Sequence, residues 1–268
     1  MPRVIRRPLT LVAALALALA ACDPAPDEPA RPSGGGSAPP VQASTSPVPT
    51  TEKPSKEERL VEAIQDHEAD YVAISKDRYV PMWEQLDRKD PNYAFDTRSP
   101  DGGHSPMLIA DATMRDGGPW FEVYLPIRPN GSKAWLRAED VRVQQRHERI
   151  EIDLSERTLE HFQDGELLDR FKVGVGQPQY PTGTGTFYVW VRVPFENPYQ
   201  PYGIFALGLS GFSPVLSDWP GEGRMAIHGT PYASNRGQAV SHGCIRVYNT
   251  DMESLVDVPL GTPVIITK

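Results

Sequence analysis

Met225-Ala226-Ile227-His228-Gly229-Thr230 and, a short connection later, Ala239-Val240-Ser241-His242-Gly243-Cys244-Ile245-Arg246 decide how this chain is read. A thiol at neutral pH is mostly protonated, and its thiolate is the attacking species. Using it as a nucleophile therefore requires an imidazole nearby, to take the proton or hold the ion pair. Two histidines qualify by sequence: His242, beside the cysteine, and His228, at the end of an apolar stretch that reads as a strand. A strand end would turn His228 toward whatever the next loop carries. Gly243 allows close backbone approach, and the amides of Gly243 and Cys244 could aim at one point, as an oxyanion hole requires.

Working outward, the surrounding sequence has the grammar of short strands. Arg149–Leu154 alternates polar and apolar residues, and Thr158–Phe162 and Leu167–Val173 pair across Asp164-Gly165. Phe187–Val193 and Thr262–Ile266 are further strands. Thr250-Asp251-Met252-Glu253 fits a capping box and predicts one short helix, stopped by Pro259. Pro194–Arg224 is rich in Pro, Gly and aromatic residues and reads as a long loop that covers or lines a site. Its Tyr199, Tyr202, Phe205, Phe212 and Trp219 are read as packing residues, with one or two lining a groove.

With these residues in view, His228-Gly229 followed by Ser241-His242-Gly243-Cys244-Ile245-Arg246 resembles the signature of the L,D-transpeptidases, the YkuD-type domain family. Upstream, Val175-Gly176 and Pro181-Thr182-Gly183-Thr184-Gly185-Thr186-Phe187 are similar to the family's approach strand, with Gly183 standing where the family usually has Pro. The resemblance covers residues 147–268. It implies a mainly β fold, a β-sandwich with one short helix, and a cysteine acyl transfer needing no cofactor and no metal. Cys244 would attack the carbonyl after the third residue of a peptidoglycan tetrapeptide stem, expel D-Ala, and pass the acyl group to an amine to give a 3→3 cross-link. By the same resemblance His228 is the general base and acid, oriented by the Gly229 carbonyl. Ser241, His242 and Gly243 shape the site on its oxyanion side, and Arg246 steers the stem peptide or braces the loop. A carbonyl orients imidazole less strongly than a carboxylate, which implies slow turnover.

Three other readings compete. Zinc accepts His228, His242 and Cys244 as ligand types, but the chain holds only two cysteines and lacks Cys-x-x-Cys spacing. Hydrolysis in place of transfer would give an L,D-carboxypeptidase or endopeptidase from the same acyl-enzyme, and the sequence does not separate the two. A non-catalytic wall-binding lipoprotein would need a decayed site, and the nucleophile, base and glycine positions are intact.

Residues 56–70 show a helical apolar face, and strands begin at Tyr71. Turn signals stand at Asp101-Gly102-Gly103, Asp116-Gly117-Gly118-Pro119 and Pro129-Asn130-Gly131. Trp120–Leu125 and Ala134–Arg137 flank the Asn130-Gly131 step, a hairpin signal because both residues tolerate positive φ. The run Trp120–Val141 resembles bacterial SH3-like (SH3b) modules, implying a small β-barrel that either binds cell wall or only spaces its neighbour. The expected division is an SH3-like domain over 56–145 and a catalytic domain over 146–268.

The opening residues read as an address. Arg3, Arg6 and Arg7 precede an apolar run, Leu11–Ala21, too short for a permanent membrane span but suited to a secretory signal. Leu19-Ala20-Ala21-Cys22 resembles the bacterial lipobox, which implies cleavage after residue 21, lipid on Cys22 and attachment to a membrane of the cell envelope. Residues 23–55, rich in Pro, Ala, Ser and Gly, bury too little surface to offset ordering and are expected to be a tether. Lipidation of Cys22 would leave Cys244 as the lone thiol of an exported protein, where a free thiol is exposed to oxidation. The formal charge of −8 gives no basic footprint, so nucleic acid is not an expected partner. A monomer acting on stem peptides is expected. His67, His104, His147 and His161 are read as surface residues.

Overall fold

Ser55 opens the first helix with a reciprocal cap. Its hydroxyl accepts from the Glu58 amide at 3.1 Å, and the Glu58 carboxylate accepts from the Ser55 amide at 2.7 Å. In the computed structural model, which describes residues 53–100, 102–218 and 221–268, this cap opens α1 (Lys56–Gln65). The signal segment, Cys22, the tether up to residue 52, and Trp219 lie outside the described residues. No described helix is long and apolar enough to cross a membrane.

The expected helix over 56–70 ends at Gln65, because His67 takes a positive φ of 54° and the first strand opens at Asp70. The strands that follow are β1 (Asp70–Ser75), β2 (Tyr79–Met82), β3 (Tyr93–Asp96), β4 (Met107–Arg115), β5 (Gly118–Tyr124), β6 (Lys133–Arg137) and β7 (Val141–Arg146). Five of them form an antiparallel sheet in the order β6-β5-β4-β1-β7, and β2-β3 is a separate hairpin joined to it by a Trp83–Trp135 bridge. Val61 and Ile64 of α1 bury against this sheet with Phe121, Val123 and Leu136.

The Asn130-Gly131 hairpin takes a different form from the one the sequence predicts. β5 and β6 do pair, but the connection runs from Leu125 to Ser132, and only Gly131 adopts a positive φ, 81°. Asn130 instead uses its amide side chain on the backbone of Phe212, a contact between the two sheets.

The second sheet is built from β8 (Glu148–Asp153), β9 (Thr158–Gln163), β10 (Glu166–Lys172), β12 (Gly185–Pro194), β13 (Phe205–Phe212), β14 (Arg224–Thr230), β16 (Ile245–Tyr248) and β17 (Pro263–Thr267). Its eight strands run β10-β9-β8-β17-β12-β13-β14-β16, while β11 (Val175–Gly176) and β15 (Ala239–Ser241) pair apart from it. Asp164 and Gly165 turn between β9 and β10 with φ of 49° and 80°, the pair of positive values a two-residue hairpin needs. Ile150, Ile152, Leu207, Leu209, Ile227 and Val247 are among the core of this half.

Three expectations change here. The supposed loop 194–224 contains β13, every residue of which is buried. Its Gly208 and Gly211 disguised it, and packing explains them: a Cβ at Gly208 would lie 2.6 Å from Val191 Cγ1, and one at Gly211 2.2 Å from the Phe187 ring. The capping box at Thr250 is absent. β16 runs directly into α2 (Asn249–Met252), so Tyr248 is the cap residue and Thr250 falls inside the helix. His161 is buried, not on the surface, with Nε2 2.9 Å from the Glu148 carboxylate.

Glu52–Lys268 form one compact unit, and the two sheets within it share a packed seam. Val72, Leu108 and Tyr188 form a buried cluster with Trp190 and Tyr124 against it. Arg146 Nε donates to the Leu260 carbonyl at 2.9 Å, and Gly261 lies so close to Val72 that a Cβ there would be 2.8 Å away.

Candidate active site

β14 and β16 lie side by side in parallel, with Ile227 opposite Ile245 and His228 opposite Arg246. Ile227, Ile245 and Val247 point into the core. Side chains alternate along a strand, so His228 and Arg246 project from the other face, and Cys244, at the entry to β16, shares their side. Register thus places the nucleophile and base candidates on one face of the sheet, two positions apart.

His228 is 3% exposed, and its Nδ1 lies 2.7 Å from the carbonyl oxygen of Gly229. A carbonyl can only accept, so Nδ1 carries the proton and Nε2 of the neutral ring is left as an acceptor. The Tyr202 ring meets the imidazole edge-on, with centroids 5.0 Å apart. Burial pulls the His228 pKa down to about 4, helped by the charge of Arg246 and opposed by the Gly229 carbonyl. Burial pushes the Cys244 thiol up, against a backbone hydrogen bond from Ala226 and the Arg246 charge. A lowered imidazole and a raised thiol both favour the neutral forms.

The Gly229 carbonyl can hold this position only because residue 229 lacks a side chain. A Cβ there would lie 2.6 Å from Asn249 Oδ1 and 3.0 Å from the Ile204 amide. Asn249 is fixed in turn by donating from Nδ2 to the Pro198 carbonyl at 2.9 Å. Around the nucleophile, Ser241 braces the turn. Its hydroxyl donates to the Cys244 carbonyl at 2.6 Å and accepts from the Gly243 amide at 3.1 Å. Gly243 sits at φ 114°, a conformation that L side chains rarely adopt. Its amide is engaged by Ser241 and so is not open as one of the two oxyanion donors expected at Gly243 and Cys244.

The two histidines occupy different surroundings. His242 packs on the ring of Tyr180, with centroids 4.7 Å apart, while His228 is sealed beneath Tyr202. Arg246 Nη1 donates to Asn235 Oδ1 at 3.2 Å, and its backbone pairs both ways with Gly174 at 2.8 Å. It therefore braces the loop between β14 and β16. Of the aromatics singled out, Phe205 and Phe212 are core residues, whereas Tyr199 and Tyr202 are exposed. Asn249 and Asn235 escaped the sequence reading, because their contacts to Pro198 and Arg246 belong to no local motif.

Among the described residues, no three His, Cys, Asp or Glu side chains are grouped so as to hold a metal ion. A cleft of about 510 Å³ lined by Asp70, Arg146, Arg149, Glu151 and Asp164 lies elsewhere and contains no nucleophile.

Residues 147–266 match the family model of the YkuD domain, the L,D-transpeptidase catalytic domain. The match opens at His147, one residue before β8. Over 120 residues the chain is 37% identical to a Bacillus licheniformis protein named for the L,D-transpeptidase YkuD, covering 44% of this chain and 65% of the relative. The Bacillus subtilis protein of the same name is 32% identical over the same shares. The chain thus spans about 65% of the length of these relatives. A solved Enterococcus faecium L,D-transpeptidase mutant is 18% identical, with a TM-score of 0.38 over 58% of this chain and 86% of that one.

Proposed function

We propose that this protein is a peptidoglycan L,D-transpeptidase in which Cys244 is the nucleophile and His228 the general base and acid. The observation that carries the reading is the contact of His228 Nδ1 with the Gly229 carbonyl at 2.7 Å, which leaves Nε2 unprotonated on the sheet face shared with Cys244. In the first half-reaction the Cys244 sulfur bonds to the carbonyl carbon after the third stem residue, and its proton passes to His228 Nε2. The Cys244 amide steadies the oxyanion. The C–N bond to the terminal D-Ala then breaks, and the imidazolium returns the proton to the departing amine. In the second half an acceptor amine attacks the thioester, giving its proton to His228, and the thiol leaves reprotonated. Atoms balance as one amide exchanged for another.

By the same reading residues 146–268 are the catalytic domain and residues 56–145 an SH3-like domain. The protein is tethered by lipid on Cys22 in the cell envelope, and Cys22→Ser should move it from the membrane to the soluble fraction. The test of function is incubation of the protein with disaccharide-tetrapeptide, followed by mass spectrometry of the products. Cross-linked dimers with released D-Ala support transfer. Tripeptide alone would replace transfer with hydrolysis, and an unchanged substrate would refute both.

A further inference from the structure

Ser213 follows β13 directly and forms one wall of the turn that carries the nucleophile. A Cβ placed at Gly243 would meet Ser213 Oγ at 3.8 Å and the Pro181 carbonyl at 3.4 Å. Next to it the Ser213 hydroxyl accepts from the amides of Val215 and Leu216 at 3.3 and 3.1 Å. This tight turn leaves Val215 54% exposed, an apolar surface beside the nucleophile's turn.

The support of this wall comes from the other sheet. Arg128, in the connection between β5 and β6, donates from Nη1 to the Ser213 carbonyl at 3.1 Å and from Nη2 to the carbonyls of Leu216 at 2.9 Å and Glu222 at 2.8 Å. Its guanidinium lies 4.6 Å over the Phe212 ring. Two residues on, Asn130 donates from Nδ2 to the Phe212 carbonyl at 2.7 Å and accepts from the Phe212 amide at 2.9 Å. An acceptor-rich turn needs donors, and a guanidinium supplies several in a fixed plane. The arrangement fixes Phe212–Leu216 from outside the second sheet.

We propose that Arg128 and Asn130 are positioning residues for acyl transfer: through them the N-terminal sheet holds the Phe212–Leu216 wall along which the acyl donor reaches Cys244. This inference rests on the acyl-transfer reading above. It makes the first sheet part of the working site and not a spacer.

The test uses the full chain and three variants, Arg128→Ala, Arg128→Lys and Asn130→Ala. Three quantities are measured: acylation of Cys244 by a carbapenem, followed by intact mass; alkylation of the same thiol by iodoacetamide; and thermal melting. A displaced wall slows the bulky acyl donor and leaves the small alkylating agent unhindered. Acylation should fall about tenfold or more in Arg128→Ala and Asn130→Ala, and less in Arg128→Lys, since a misplacement of about 1 Å costs up to about 10²-fold. Alkylation should stay within about twofold of the wild type, as the thiol and its base keep their places. Arg128→Lys retains charge and stem, and reports should Arg128→Ala fail to fold. Wild-type acylation in the variants would overturn the proposal, as would acylation and alkylation changing in parallel with lost thermal stability. A wild-type thiol that is alkylated but never acylated would instead remove the acyl-transfer reading itself, and this inference with it.

Discussion

His228 Nδ1 lies 2.7 Å from the carbonyl oxygen of Gly229, its immediate neighbour in the chain. The contact sets the tautomer of the His228 imidazole without a carboxylate. It works because Gly229 packs against Asn249 and the Ile204 amide with no room for a side chain. A one-residue sequence step thus joins the proposed base to the backbone that orients it.

The first prediction separates the two histidines. His228→Ala should lower the acylation rate by about 10²–10⁴, the range for losing a positioned general base. His242→Ala removes a ring packed on Tyr180 and should cost about tenfold or less, a packing effect on geometry. Single-turnover acylation of both variants measures the difference. Equal losses would mean that the base has been misassigned.

A second prediction concerns Gly229. Adding a methyl group forces it against Asn249 Oδ1 at 2.6 Å, and overpacking of this kind costs about 1–3 kcal/mol. Gly229→Ala should lower the unfolding midpoint and also slow acylation, because the carbonyl moves. Combining it with Asn249→Ala should recover part of the stability, a coupling that denaturant unfolding of the double-mutant cycle reads directly. Strict additivity would show that the clash lies elsewhere.

The pH behaviour follows from burial. Holding His228 down to about 4 from 6.5 places the acid limb of kcat/KM near pH 4, with the base still competent in mildly acidic solution. The same shift is a stability statement. The imidazole is neutral in the fold and protonates more readily in the unfolded chain. Its contribution is complete above pH 6.5 and lost as the pH falls through about 4, roughly 3–4 kcal/mol in all. Unfolding curves across that window, for the wild type and His228→Gln, check this. A wild-type curve as flat as the variant's would refute it.

Tyr188 is fully buried between the sheets, and its hydroxyl has no hydrogen-bond partner among the described residues. Leaving such a group unpaired costs about 1–3 kcal/mol. Tyr188→Phe should therefore raise the melting temperature, and a clear decrease would reveal a partner for the hydroxyl.

The candidate site was more legible than the fold around it. His228-Gly229 and Ser241–Cys244 are two short runs of local sequence, and they lie on or beside the adjoining parallel strands β14 and β16. The Asp164-Gly165 hairpin was legible for the same local reason. β13 was not, because Gly208 and Gly211 answer to Val191 and Phe187, which are distant in sequence, and their presence breaks the alternation that marks a strand. Asn130 illustrates the same limit. Its sequence context speaks for a turn, yet its side chain serves the backbone of Phe212. Contacts of this kind are set by how the two sheets meet, which no window of residues encodes.

The central claim is a covalent one: Cys244 carries the acyl group. The most direct measurement is intact mass and peptide mapping of the protein quenched in acid during reaction with a tetrapeptide stem. An acyl-enzyme heavier by the tripeptide-acyl group, located on the peptide containing Cys244 and missing in Cys244→Ala, is the predicted result. Product formation by Cys244→Ala, or an adduct on any other residue, would contradict the account.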